Sequence, residues 1–167
     1  MEEKIEMVKT LINNGYVNII TGFSGIGKST VADGITILDF ESSPYSHYEN
    51  GDPNPTFPEN YITELINLIL YRYNKYKYKM TYLLSCHESV RNKLAELGLM
   101  YIIVRPLVTC QNEYVKRWLR RGSSIPFITS MSRKWDIMLR SCYSDDATSI
   151  CLNEGEYLSD ILRKNSD

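Results

Sequence analysis

The chain has 167 residues, one domain's worth, enough for a single substantial core. Hydrophobic residues at 43% and charged residues at 23% exclude general disorder. A formal net charge of −1 excludes a global pull toward nucleic acid or membrane, so electrostatic partners must be read from local charge.

In chain order, Ile5, Val8, Leu11 and Ile12 fall at helical spacing among charges and predict a short amphipathic helix over 2–13, ended by Gly15. Residues 16–20 are a compact apolar strand leading straight into a glycine-rich loop. A short helix is expected from Lys28 to about Asp33, because Gly34 interrupts it, then a strand over 35–39 ending on Asp39. Residues 41–58, rich in Pro, Ser and Asn, read as a long loop, and such loops are usually functional or mobile. A helix over 59–73 precedes a strand over 80–86. A helix over 88–97 precedes a strand over 100–104, ended by Arg105-Pro106. Helices over 111–121 and about 126–142, a strand over 149–152 and a helix over 157–164 complete the chain.

Strands alternating with helices predict an α/β fold, a parallel sheet with helices on both faces in three layers. Ligands collect beyond the carboxyl ends of such strands, which selects Gly22–Lys28, Asp39–Ser43, Ser85–Glu88, Arg105 and Asn153.

Gly22-Phe23-Ser24-Gly25-Ile26-Gly27-Lys28-Ser29 fits G-x-x-x-x-G-K-[ST] between a strand and a helix, the context a phosphate-binding loop requires. In such a loop successive amides form an anion nest, with the helix N-terminus behind them. We therefore expect Gly22, Ser24, Gly25, Ile26, Gly27, Lys28, Ser29 and Thr30 to bind a nucleoside triphosphate. Lys28 would reach its terminal phosphates, and Ser29 would ligate Mg²⁺. The strand over 80–86 carries no acid at its end, so Ser85 in the metal's water shell, or the charges of Asp39 and Glu41, must serve there. That absence favours a kinase over a water-activating NTPase.

Asp39 is the candidate base for an acceptor hydroxyl, or a holder of a magnesium-bound water; Glu41 is the second acid. From Val31 through Tyr71 there is no Lys or Arg, which counts against a standard nucleoside monophosphate kinase. Arg91 and Arg105 are the replacements to consider, with Ser43 also on the acceptor side. His87 and His47 are more readily structural than catalytic. Residues 113–134 are basic: Glu113, Arg117, Arg120 and Arg121 share a helical face, with Tyr114 and Trp118 turned inward. This reads as a mobile lid bringing arginines over the phosphates; a solvated face and a nucleic-acid groove are the alternatives. Cys86, Cys110, Cys142 and Cys151 contain no close pair, so reduced thiols are expected rather than zinc or a redox motif. The N-terminus is charged where a signal peptide would be apolar, and no apolar run nears the roughly 20 residues that span a bilayer. A cytoplasmic protein with no membrane partner is expected.

The segments GFSGIGKST, ILDFESSPYS, FPENYITELI, YLLSCHESVRNKLAELGL and YIIVRPLVTCQNEYVKRWLRRG together resemble small P-loop nucleotide-kinase-like proteins of bacteriophages and prophages. The resemblance runs from about Tyr16 to Leu162. It implies ATP binding, a five-stranded parallel sheet of order 2-3-1-4-5, and lid-type roles for Arg117 and Arg121. The short helix after the loop and the arginine-free acceptor segment depart from the pattern. The reading is thus an ATP- and Mg²⁺-dependent phosphotransferase acting on a nucleoside or nucleotide. A polynucleotide 5′-hydroxyl or modified-base kinase, and a nucleotide-binding regulator without kinase activity, are the alternatives.

Overall fold

The structure, a computed structural model, describes residues 1–164. Five strands, β1 (Val17–Gly22), β2 (Ile37–Asp39), β3 (Met80–Ser85), β4 (Ile102–Pro106) and β5 (Thr148–Leu152), form one parallel sheet of order β2-β3-β1-β4-β5. The expected α/β class and strand order are therefore observed.

Successive side chains of a strand point to opposite faces, and that alternation builds the layers. Ile19, Tyr82 and Leu84 face one core with α1 (Glu2–Asn13), α4 (Glu59–Tyr76) and α5 (Glu88–Glu96), where Val8, Leu65, Ile69 and Leu94 are buried. Ile20, Leu83 and Val104 face the other with α6 (Gln111–Arg120), α7 (Ile125–Arg133), α8 (Trp135–Tyr143) and α9 (Leu158–Lys164). There Tyr114, Trp118 and Trp135 pack edge-on or tilted against one another, and Tyr114 and Trp135 also against Phe23. Among the described residues, no helix is long and apolar enough to cross a membrane.

Five expectations change, each for a local reason. The helix after the glycine-rich loop, α2, spans only Lys28–Val31. Ala32 turns extended, and the Asp33 carboxylate accepts from the amides of Ile35, Thr36 and Ile37, an Asx-type turn that competes with the helix. This turn also delays β2 to Ile37. The 41–58 loop is ordered by a one-turn helix, α3 (Ser43–Ser46), and a bridge between His47 and Pro53. Helix α4 runs on to Tyr76, where Lys77 closes it in the left-handed conformation. The helix expected over 126–142 is two. The Ser132 carbonyl accepts from the Gln111 side chain, and Trp135 turns inward to donate to the Val108 carbonyl.

β2 is only three residues long, and its exit is anchored by a residue remote in sequence. The fully buried Tyr61 hydroxyl donates to the Phe40 carbonyl, and its ring stacks on Phe40 with centroids 4.8 Å apart. Tyr61→Phe removes the donor and keeps the stack. It is expected to lower stability by about 1–3 kcal/mol, read as a reduced urea midpoint at unchanged slope.

Candidate functional site

A cleft of about 780 Å³ opens at the carboxyl ends of β1, β2 and β3. Its floor is the glycine-rich loop. Gly25 and Gly27 both have φ of 95°, a conformation that L side chains rarely adopt. A Cβ would also lie 3.1 Å from Trp118 Nε1 at Gly25, and 3.2 Å from the Tyr157 ring at Gly27. At Gly22 it would come within 2.6 Å of Ile26 Cδ1 and 3.0 Å of Lys28 Cδ. These glycines allow the helical layer and the Lys28 stem to close directly on the loop.

Three consecutive loop carbonyls are held from the helical side. Trp118 Nε1 donates to Ser24 O at 3.2 Å, Arg117 Nη1 to Gly25 O at 3.0 Å, and the Leu158 amide to Ile26 O at 2.9 Å. Among the described residues, the amides of Ser24, Gly25 and Gly27 donate to no backbone carbonyl. Donors without protein partners above a helix start can collect an anion. Lys28 Nζ rests on the Gly22 carbonyl at 2.8 Å, with the Phe23 carbonyl at 3.5 Å. Burial lowers the Lys28 pKa, while Asp39, Cys86 and Glu41 oppose that shift and Arg121 adds to it.

Opposite the loop, Asp39 ends β2 and Glu41 follows it into the same cleft. Burial raises the Asp39 pKa, Lys28 works against the rise, and Glu41 adds to it. The pairing of Gly22 with Ser85 sets the end of β3 beside the loop, and Ser85 Oγ is buried without a partner. Ser29 and Thr30 complete the loop side. His87 stands at the mouth, edge-on to Phe57. Desolvation, then Lys28, His47, Arg91 and Lys134, lower its pKa and favour the neutral ring.

Arginine placement corrects the expectations most. Arg117 is no mobile lid group: it is buried, and it stacks between the rings of Tyr114 (4.4 Å) and Tyr157 (3.8 Å). Its Nη1 and Nη2 donate to Gly25 O, Tyr114 OH, Glu113 Oε1 and Glu156 O. The first half of the expected lid is thereby fastened to the loop, because Tyr114 and Trp118 are buried with it. Arg121, from the end of α6, reaches over the loop and donates to Ser24 Oγ at 2.8 Å; Arg120 also lines the cleft.

Arg91 and Arg105 do not reach the cleft. Arg91 is buried on Cys86 O, Ser141 and the Asp145 carboxylate, the last at 2.8 Å. Arg105 is buried on Ser149 Oγ and Tyr143 OH and lies 3.8 Å over the Tyr143 ring. Neither holds a substrate phosphate in this arrangement. Ser43 opens α3 outside the cleft, and the buried neighbour Ser42 takes its place in the lining. Asn153 instead donates to Glu156 Oε1.

Sequence reading missed the wall formed by Phe127, Met131, Ile137 and Met138, and it missed Tyr157. Apolar residues on a helix look alike whether they face a core or a cleft. Tyr157 carries no signal beyond following a strand. All four cysteines are free. Cys86 and Cys142 lie 3.7 Å apart, and the Cys86 contact, with Arg91 and Arg105 nearby, lowers the Cys142 pKa to about 7.

No family model and no curated protein matches the chain. Among solved structures it is similar to the crystal structure of an uncharacterized protein from Eubacterium ventriosum ATCC 27560. The two share 16% sequence identity with a TM-score of 0.45, over 90% of this chain and 97% of that one.

Arg91→Ala would leave the Asp145 carboxylate buried and unpaired. It is expected to cost about 3–5 kcal/mol of stability, measured by urea unfolding. An unchanged midpoint would contradict the structural role assigned to Arg91.

Proposed function

We propose that this chain is an ATP- and Mg²⁺-dependent phosphotransferase of the nucleoside/nucleotide-kinase type, working in the cytoplasm on a nucleoside or nucleotide. The observation that carries the reading is the loop itself. Three carbonyls are tied back and neighbouring amides are left without protein partners, with Lys28 facing a raised-pKa carboxylate across the cleft.

In this reading the amides of Ser24, Gly25 and Gly27 and the Lys28 ammonium bind the donor's terminal phosphates, with Gly22, Ile26 and Thr30 shaping that cradle. Positive groups here stabilise charge on the transferring phosphoryl oxygens, and positioning supplies most of the catalysis. Arg121 and Arg120, at the free end of α6, are the cations able to close over those oxygens. Arg117 acts one step back, by fixing the loop.

The donor set also fits magnesium. The Ser29 hydroxyl and the Asp39 carboxylate line one cleft, beside the partnerless Ser85 Oγ. Among the described residues no three His, Cys, Asp or Glu gather into a metal site, so the donor's phosphates would complete the ligand set. Bound magnesium would neutralise phosphate charge. Asp39 would hold magnesium only through a bound water, which leaves its carboxylate to orient the acceptor hydroxyl and accept its proton.

Lys28→Ala should abolish transfer from γ-labelled ATP to pooled nucleosides and nucleotides; near-wild-type transfer would sink the mechanism. The sign of the pH dependence follows from Asp39, which must be ionised to take a proton. The rate should fall as pH drops through the pKa of Asp39, which burial and Glu41 raise and Lys28 lowers. Asp39→Asn should remove that acid limb and lower kcat by about 10²–10⁴-fold.

A further inference from the structure

Charge in the cleft is divided in two. Its cations, Lys28, Arg117, Arg120 and Arg121, belong to the loop and to α6. Across from them stand Asp39, Glu41 and Glu88, with Ser42, Ser85 and a ring of His87 that burial and the charges of Lys28, Arg91 and Lys134 bias to neutrality; Glu41 lies near enough to Arg121 to act on it. The two arginines that could have served this side are turned away: Arg91 is held by Asp145 and Ser141, and Arg105 by Ser149 and Tyr143. The remaining boundary is apolar, formed by Phe127, Met131, Ile137 and Met138 of α7 and α8.

We infer that the acceptor is an alcohol that carries no phosphate, neutral or cationic, and that presents one apolar face to the α7–α8 wall. This rests on the phosphotransferase reading and narrows its acceptor. A monophosphate brought to the Asp39 side would set a dianion beside Asp39, Glu41 and Glu88, and like charges placed together oppose binding. Arg120 and Arg121, the cleft's guanidinium groups on the α6 side, are engaged by the donor's phosphates in this reading. Hydroxyl groups suit the same carboxylates, which accept strong charge-assisted hydrogen bonds. A flat base or sugar face suits the methionine and phenylalanine wall, because thioether and aromatic surfaces adapt to such shapes. On transfer, the acceptor oxygen bonds to the γ-phosphorus as the β–γ bridging P–O bond breaks. ADP leaves with that electron pair, and the hydroxyl proton passes to Asp39.

Nucleosides and amine-bearing sugars both offer this chemistry, and the test separates them. The protein is loaded with Mg²⁺ and a non-hydrolysable ATP analogue, and calorimetry compares nucleosides, aminoglycosides and nucleoside 5′-monophosphates. In parallel, γ-labelled ATP is offered to each pool, with Lys28→Ala as control. Expected is binding of one alcohol class at least about tenfold tighter than any monophosphate, with label following the same class. Glu41→Gln and Glu88→Gln should narrow that gap, because each removes a repulsive charge. Equal or tighter binding of monophosphates overturns the inference, even if labelled diphosphate then upholds the kinase reading. Absence of binding by every alcohol overturns it as well. Alcohol binding without Lys28-dependent label preserves the charge preference and sinks the kinase reading instead.

Discussion

A single buried guanidinium holds the site together. Arg117 reaches from α6 to the Gly25 carbonyl and the Glu156 carbonyl while stacked between two tyrosine rings. A buried charge is tolerable only when paired, and Glu113, one helical turn earlier, supplies the pair at 2.7 Å. Glu113 in turn accepts from the Gly155 amide, so the turn after β5 is drawn into the same network. Flanking it, Trp118 and the Leu158 amide hold the neighbouring carbonyls. The shape of the loop is therefore a tertiary property. Its glycines permit the conformation, and contacts from α6 and the β5–α9 turn select it.

Charge is distributed with the same economy. Arginines that read from sequence as possible ligands are absorbed by the scaffold wherever a buried acceptor needs them. Arg91 neutralises Asp145, which also accepts from Tyr101, and Arg105 lies on Tyr143. What reaches the cleft is a cationic half on the loop side and an acidic half on the β2 side, with an apolar wall closing the rim. Because Lys28 and Asp39 share that space, each shifts the other's titration: the carboxylate favours the ammonium, and the ammonium favours the carboxylate.

Much of this is legible in the sequence. The apolar runs at 16–20, 80–86 and 100–104 and the helical spacing in 59–73 led directly to the layered sheet. The strand-end rule selects most of the loop, Asp39, Glu41, Ser85 and His87, which line one cleft, but also Ser43, Arg105 and Asn153, which do not. The failures have physical causes. Composition cannot separate an arginine that binds a ligand from one that binds a carbonyl, so the scaffold contacts of Arg91, Arg105 and Arg117 are not legible in it. An Asx turn at Asp33 and the inward swing of Trp135 are local competitions that hydrophobic periodicity does not record. The wall formed by Met131, Ile137 and Met138 depends on the break at Lys134, so it could not be read from a continuous helix.

The tethers on the loop also set an order of events during synthesis. The loop lies near residue 25, yet Arg117 and Trp118 stand 92 and 94 residues further along, and Leu158 emerges later still. A single domain generally folds as a unit, and contacts of such sequence separation cost loop-closure entropy before they are rewarded. The loop between β1 and α2 therefore takes its shape from residues that are made well after it. The observed shape of the loop is thus complete only once the turn after β5 and the start of α9 are present to hold the Ile26 carbonyl.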